Sequence, residues 1–220
     1  MDQEFWHQRW QNNQIGFHEP DVNPLLAEYF DSLELATGSR VLVPLCGKSH
    51  DLTWLANQGY DVIGVELSTL AAESFFKEQN NKPTITELGK IRSYITDNIT
   101  ILVGDIFNVT EDIIDTILGA TRSTIHAIYD RAALVALPES TRPRYTKHLI
   151  EISHNAKQLL ISYQYDQSLM DGPPFSISDN EIIEHYNDCY DISLIKSQCV
   201  ETKLKGLAAT EKVWTLQKKI

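Results

Sequence analysis

Three places in this sequence combine residue types and spacings that can do chemistry. The stretch VLVPLCGKSH, Val41 to His50, ends in the Gly-Lys-Ser letters that close a nucleotide-binding phosphate loop. The run DVIGVEL ends near Glu66, a carboxylate about 20 residues beyond that turn, where an acid commonly accepts bonds from ribose hydroxyls. Asp130 and Arg131 follow the apolar run TIHAIY, at the edge where ligands bind in α/β sheets. The phosphate loop fails at once. It needs a first glycine at position 42, and Leu42 stands there. The dinucleotide pattern Gly-x-Gly-x-x-Gly fails as well, because only Gly47 is present across the turn.

A turn without room for a chain of phosphates, followed by an acid placed for a ribose, suits a nucleoside ligand lacking pyrophosphate. S-adenosylmethionine is such a ligand. Spacing alone leaves the alternative open that Leu45 packs in the core, Cys46 is a small turn residue and Glu66 a solvated strand end. Trp6 and Trp10 are four apart and share a helical face, so an indole could close a pocket over a sulfonium cation. Cys46 has no visible base beside it, which argues against a nucleophile. Cys189 and Cys199 lack further ligands and the seven histidines are scattered, so no metal is expected.

The elements that must hold these residues alternate along the chain. Residues 40–45 form a continuous apolar run, as in a strand buried on both faces. Residues 49–58 carry Leu52, Leu55 and Ala56 at helical spacing, with Gly59 placed as a cap. Residues 61–67 read as a second strand, and Ser68 as the N-cap of a helix through Phe76. The rhythm returns with strands at 99–103, 124–129 and 158–165 and helical faces at 113–118 and 145–152. Residues 190–200 and 209–217 read as an antiparallel edge hairpin. The expectation is a doubly wound, mostly parallel seven-stranded sheet with a C-terminal hairpin, in one domain spanning residues 1–220. Residues 1–35 would form a helical cap over the site.

Bulk properties narrow the partners. A net charge of −11 with no Lys/Arg stripe opposes nucleic acid and anionic membrane surfaces. No run approaches the roughly 20 apolar residues of a membrane span, and the first residues do not resemble a secretory signal. Three cysteines, odd in number, read as reduced thiols of a cytoplasmic protein. A small-molecule ligand is expected.

Taken together, FWHQRW, NQIGFHE, VLVPLCGKSHDLTWLANQGYDVIGVELS, GDIF, YDRAALVALP and YDQSLMDGPPFSIS resemble the bacterial thiopurine S-methyltransferases, in order from about Phe5 to Asp179. The tail matches loosely, in EKVWTL. The resemblance implies a class I, Rossmann-like methyltransferase moving a methyl group from S-adenosylmethionine to a thiopurine or other aromatic thiol. It implies cofactor contacts at Trp10, Leu45, Glu66 and Arg131, with Asp105 and Ile106 along the adenine. Phe17 would lie near the acceptor, Phe175 would line it from the loop MDGPPFSIS, and Asp130 or Arg131 would stand by the acceptor sulfur. Two other readings stay open: selenium or tellurium compounds as acceptors, and a noncatalytic nucleoside-binding protein. A monomer is expected.

Overall fold

The computed structural model describes residues 3–119, 124–200 and 206–219. The N-terminal segment carries α1 (Gln3–Gln11) and α2 (Pro24–Tyr29). Asn23 starts α2 by accepting from the backbone N–H groups of Leu25 and Leu26, with Pro24 in the first turn where its missing N–H costs nothing. There follow β1 (Arg40–Pro44), α3 (His50–Asn57), β2 (Asp61–Glu66), α4 (Thr69–Glu78), β3 (Thr84–Leu88), β4 (Ile91–Ile95) and β5 (Ile99–Val103). The second half runs α5 (Glu111–Leu118), β6 (Ala127–Arg131), α6 (Arg142–Ser153), β7 (Lys157–Gln164), α7 (Asp179–Tyr186), β8 (Tyr190–Val200) and β9 (Ala209–Lys218).

The strands form one sheet in the order β3-β4-β5-β2-β1-β6-β7-β9-β8. The five central strands β5, β2, β1, β6 and β7 are parallel. β9 pairs antiparallel with β7, and β8 with β9, giving the expected hairpin. Residues 201–205, within its link, lie outside the described residues. The seven expected strands are all present, and the sheet has two more. β3 and β4 make an antiparallel pair on the far edge, joined to β5. The side chains of β3 are mostly exposed, so it lacks the apolar pattern that marks the buried strands.

Side-chain alternation sends the two halves of each central strand into separate cores. Leu42, Ile63, Val65, Leu102, Ile128 and Leu160 pack on one face with Ile114, Tyr145, Leu149 and Tyr186 from α5, α6 and α7. Val41, Val43, Val62, Ile101, Tyr129 and Ile161 pack on the other with Leu26, Leu52, Leu55 and Phe75 from α2, α3 and α4. Burying each such aliphatic side chain contributes about 1.5–3 kcal/mol. The caps read from sequence are in place: Ser68 accepts from Ala71 N, and Gly59 takes a φ of +88° just past α3; Ser49 adds an N-cap to α3 by accepting from Asp51 N. No helix among the described residues is long and apolar enough to cross a membrane. Strand order reverses at β1, between β2 and β6, which puts the natural binding crevice at the carboxyl ends of these strands.

Candidate active site

The turn after β1 is tighter than its letters suggest. Leu45 and Gly47 both adopt left-handed backbone, with φ of +48° and +56°. Cys46 N donates to Val65 O at 2.9 Å, tying the turn to β2. Gly47 N donates to Glu66 Oε2 and Ser68 N to Glu66 Oε1, each at 2.8 Å. One carboxylate thus staples the first strand-to-helix turn to the second. Burial pushes the Glu66 pKa up, while the N–H groups of Ser68, Gly47 and Leu67 hold it down against that rise. Glycine suits position 47 for a second reason: a Cβ there would lie 3.3 Å from Cζ2 of the Trp10 indole, a tight approach.

Above this turn opens a cavity of about 530 Å³, within the usual range for a small-molecule site. Trp10 and Phe17 meet edge to face at 5.6 Å between centroids, and Trp6 meets Phe17 at the same separation. Met170, Pro173 and Pro174 line the cavity from the loop after β7. β6 contributes Tyr129 and Arg131, which share a face by strand alternation. The Tyr129 hydroxyl donates to Asp51 Oδ2 at 3.0 Å, and Asp51 Oδ1 accepts from Asn23 N at 2.8 Å. Burial and the Asp51 carboxylate push the Tyr129 phenol well up, so it is a neutral donor. Tyr163, also at the wall, donates to Glu211 Oε1 at 2.9 Å and is likewise raised by burial and by Glu211. Arg131 Nη2 pairs with Glu19 Oε1 at 2.8 Å, across from β6 to the N-terminal cap.

A second, shallower cavity of about 380 Å³ adjoins the first, and Leu67 lines both. Its wall includes Gln3, His7, Lys90, Arg92, Asp105 and Asn108. Gln3 Nε2 donates to Asp105 Oδ2 at 2.7 Å, so α1 reaches over this cleft.

A model of the family described as Thiopurine S-methyltransferase matches residues 1–219. The chain is 46% identical over 221 residues to a Thiopurine S-methyltransferase of Teredinibacter turnerae, covering 100% of this chain and 99% of that protein. It is 43% identical over 224 residues to one of Acinetobacter baylyi, covering 100% of both. The chain belongs to the thiopurine S-methyltransferase family. Among solved structures, a 1,6-didemethyltoxoflavin-N1-methyltransferase of Burkholderia thailandensis aligns with a TM-score of 0.65 over 99% of this chain and 87% of that one. A TehB-like SAM-dependent methyltransferase of Corynebacterium glutamicum aligns with a TM-score of 0.56, over 99% and 98%. At 11% and 13% identity these two speak for the fold alone.

In this member of the thiopurine S-methyltransferase family, five residues singled out from sequence converge on the main cavity: Trp10, Phe17, Leu45, Glu66 and Arg131. Asp105 is nearby but lines the adjoining cleft, where it also caps its own turn by accepting from Phe107 N at 3.0 Å. The side chains of three others, Ile106, Phe175 and Asp130, line neither cavity. The Ile106 side chain is buried in the core under α5 and α6 and lines neither cavity, while its carbonyl meets His148 Nε2 at 2.9 Å. Phe175 folds back on its own loop, against Gly172 and 5.6 Å from the Arg142 guanidinium, and Pro173 and Pro174 take the place expected for it at the wall. Asp130 is fully buried on the opposite face of β6 from Arg131. Its Oδ1 accepts from Leu134 N at 3.0 Å and its Oδ2 from the Tyr145 hydroxyl at 2.7 Å. Adjacent strand residues point to opposite faces, so Asp130 and Arg131 could not both reach the acceptor.

Sequence reading missed Arg9, Glu19, Asp51, Tyr129 and Tyr163, all of which line the cavity. Tyr129 had a signal, being two residues before Arg131 on a strand. Glu19 and Tyr163 had none, because their partners Arg131 and Glu211 are distant in the chain. Cys46 is buried and its thiol is pushed up by burial and by Glu66, which agrees with an inert thiol. Among the described residues no group of three or more His, Cys, Asp or Glu could hold a metal ion.

Proposed function

We propose that this protein transfers the methyl group of S-adenosylmethionine to the sulfur of a thiopurine or other heteroaromatic thiol, leaving S-adenosylhomocysteine and a methyl thioether. The observation that carries this reading is the match of the whole chain to its family together with Glu66 at the wall of a nucleoside-sized cavity. The family match favours a sulfur acceptor over the metalloid and noncatalytic readings.

The donor set fits a sulfonium nucleoside. Glu66 is an acceptor-only carboxylate whose two oxygens each take one backbone N–H and retain lone pairs for ribose hydroxyls. The left-handed turn at Leu45 to Gly47 turns its backbone toward the cavity, with no glycine-rich arc for a pyrophosphate. Trp10 supplies an indole face beside Gly47, suited to a cation. When bound, S-adenosylmethionine supplies an electrophilic methyl on sulfur. Leu45, Glu66 and Trp10 would hold it, with Arg131 at its charged end and Asp105 in the cleft beyond Leu67.

The chain's own contribution is positioning. Tyr129 and Tyr163 are held as neutral donors and Asp51 and Glu19 are each occupied by partners, which leaves His18, its pKa lowered by burial and by Lys48, as the neutral imidazole of the wall. A heteroaromatic thiol ionises readily and needs little help of that kind. Holding two reactants in line contributes about 7–11 kcal/mol, more than any one side chain here. The aromatic wall of Trp6, Phe17, Pro173 and Pro174 suits a flat ring and excludes water. The working unit we propose is a cytoplasmic monomer of one domain with a helical cap. It acts on small molecules without a nucleic-acid or membrane partner, as its net charge of −11 favours.

Calorimetric titration with S-adenosylmethionine and S-adenosylhomocysteine, followed by a mass-spectrometric screen of thiol acceptors, tests this. Binding of both and methylation of heteroaromatic thiols are expected. Glu66→Gln should weaken S-adenosylhomocysteine by roughly 10- to 100-fold, as losing a charge-assisted bond pair does. Tight uptake of ATP or NAD with no response to the sulfonium nucleoside would overturn the reading.

A further inference from the structure

Three cationic side chains line the main cavity: Arg9, Lys48 and Arg131. Two are already compensated by the protein. Lys48 Nζ pairs with Glu78 Oε1 at 2.6 Å, and Arg131 Nη2 with Glu19 Oε1 at 2.8 Å. Arg9 differs. Among the described residues no carboxylate lies within ion-pair distance of it, and its Nε is buried without any hydrogen-bond partner. The guanidinium is held in place from one side by the Phe5 ring, 4.6 Å from its carbon to the ring centroid. It stands on α1 beside Trp6 and Trp10, whose rings with Phe17 build the aromatic wall.

A buried guanidinium N–H with no acceptor is costly, and the cost disappears when a ligand supplies one. A guanidinium edge is a planar fork that suits a carboxylate or another diffuse anion better than a neutral group. We propose that Arg9 receives the negative charge of an ionised acceptor, whether a thiolate or a carboxylate carried on the ring, and so selects anionic over neutral aromatic thiols. The inference rests on the methyl-transfer reading for its substrate class. It goes beyond that reading in naming the uncompensated cation of the cavity as the acceptor's counter-charge.

Direct binding tests it without requiring turnover. The probes are 2-(methylthio)benzoate and thioanisole, unreactive ligands that differ by one carboxylate, titrated calorimetrically into the full chain. The wild-type protein should prefer the benzoate by about tenfold or more, the scale of one charge-assisted hydrogen bond. Arg9→Gln should lose that preference, with thioanisole and S-adenosylhomocysteine binding unchanged. Arg9→Lys, which keeps the charge but not the Nε–H edge, should retain part of it and serves if the glutamine variant does not fold. No anionic preference in the wild type, or an equal loss for both probes in either variant, would overturn the proposal. So would a parallel loss of S-adenosylhomocysteine, which would put Arg9 in the donor's half. If the probes behave as expected but no thiol is methylated, the functional reading fails and the anion site stands.

Discussion

Asp130 and Arg131 show how one residue of displacement along a strand changes a role. Arg131 faces the cavity and Asp130 faces α6, so their chemistry is separate. Burial raises the Asp130 pKa from 3.8 to about 6, a rise that the Leu134 N–H, the Tyr145 hydroxyl and the Ala133 N–H only partly oppose. Between those two values the folded chain keeps a proton that the unfolded chain has released. Its contribution therefore lowers stability as pH rises from about 4 to about 6. The size is of order 3 kcal/mol, at 1.36 kcal/mol per unit. Asp130→Asn should flatten this slope in urea melts taken across that range. Methyl transfer should fall by less than ~10²-fold, the lower bound of a lost acid or base. A larger loss with donor binding intact would return the carboxylate to the chemistry.

At the scale of elements, the first strand–turn–helix unit joins sequence to site most directly. Its register follows from the apolar run of β1, the Ser49 cap and the glycine at the end of α3, all visible in the letters. Its function depends on Gly47, where the left-handed φ strains a side chain and a Cβ would press on the Trp10 indole. Gly47→Ala should cost about 1–2 kcal/mol for the backbone and more for displacing the indole. For a chain of this size each 1 kcal/mol lowers Tm by about 2–4 °C. Calorimetric scanning should find such a fall, with weaker S-adenosylhomocysteine binding; an unchanged Tm would mean that the turn relaxes freely. Elements missed from sequence have identifiable reasons. β3 is an exposed edge strand with no apolar face. α7 did carry a signature, Ser178 capping Glu181 N three residues on, but it sits in a tail dominated by two long strands.

On the scale of the whole molecule, the contacts that tie down the N-terminal cap include three beside the site. These are Gln3 to Asp105, Trp10 over Gly47 and Glu19 to Arg131. All three involve residues at the donor's proposed positions, Asp105, Trp10 and Arg131, so occupancy of the site and closure of the cap are coupled. Arg9 is the one Arg or Lys before Pro24, which makes trypsin a clean probe of that closure. Cleavage after Arg9 should slow on adding S-adenosylhomocysteine, by up to about 100-fold at 100 times its Kd if opening releases the ligand. Equal rates with and without it would uncouple cap and site.

Resemblance to a known family, with spacing as well for Glu66, singled out Trp10, Phe17, Leu45, Glu66 and Arg131. By itself the sequence determined the doubly wound core, the caps of α3 and α4 and the absence of a phosphate loop. Those follow from local periodicity, glycine placement and short-range spacing, which the letters carry directly. Only the tertiary structure decided which face of β6 meets the ligand, that Glu66 staples two turns, that Phe175 turns away while Pro173 and Pro174 line the wall, and that Glu19 neutralises Arg131 while Arg9 stands uncompensated. Most of these depend on which residues far apart in the chain are brought together. Pairing and burial set them, and no local pattern encodes either.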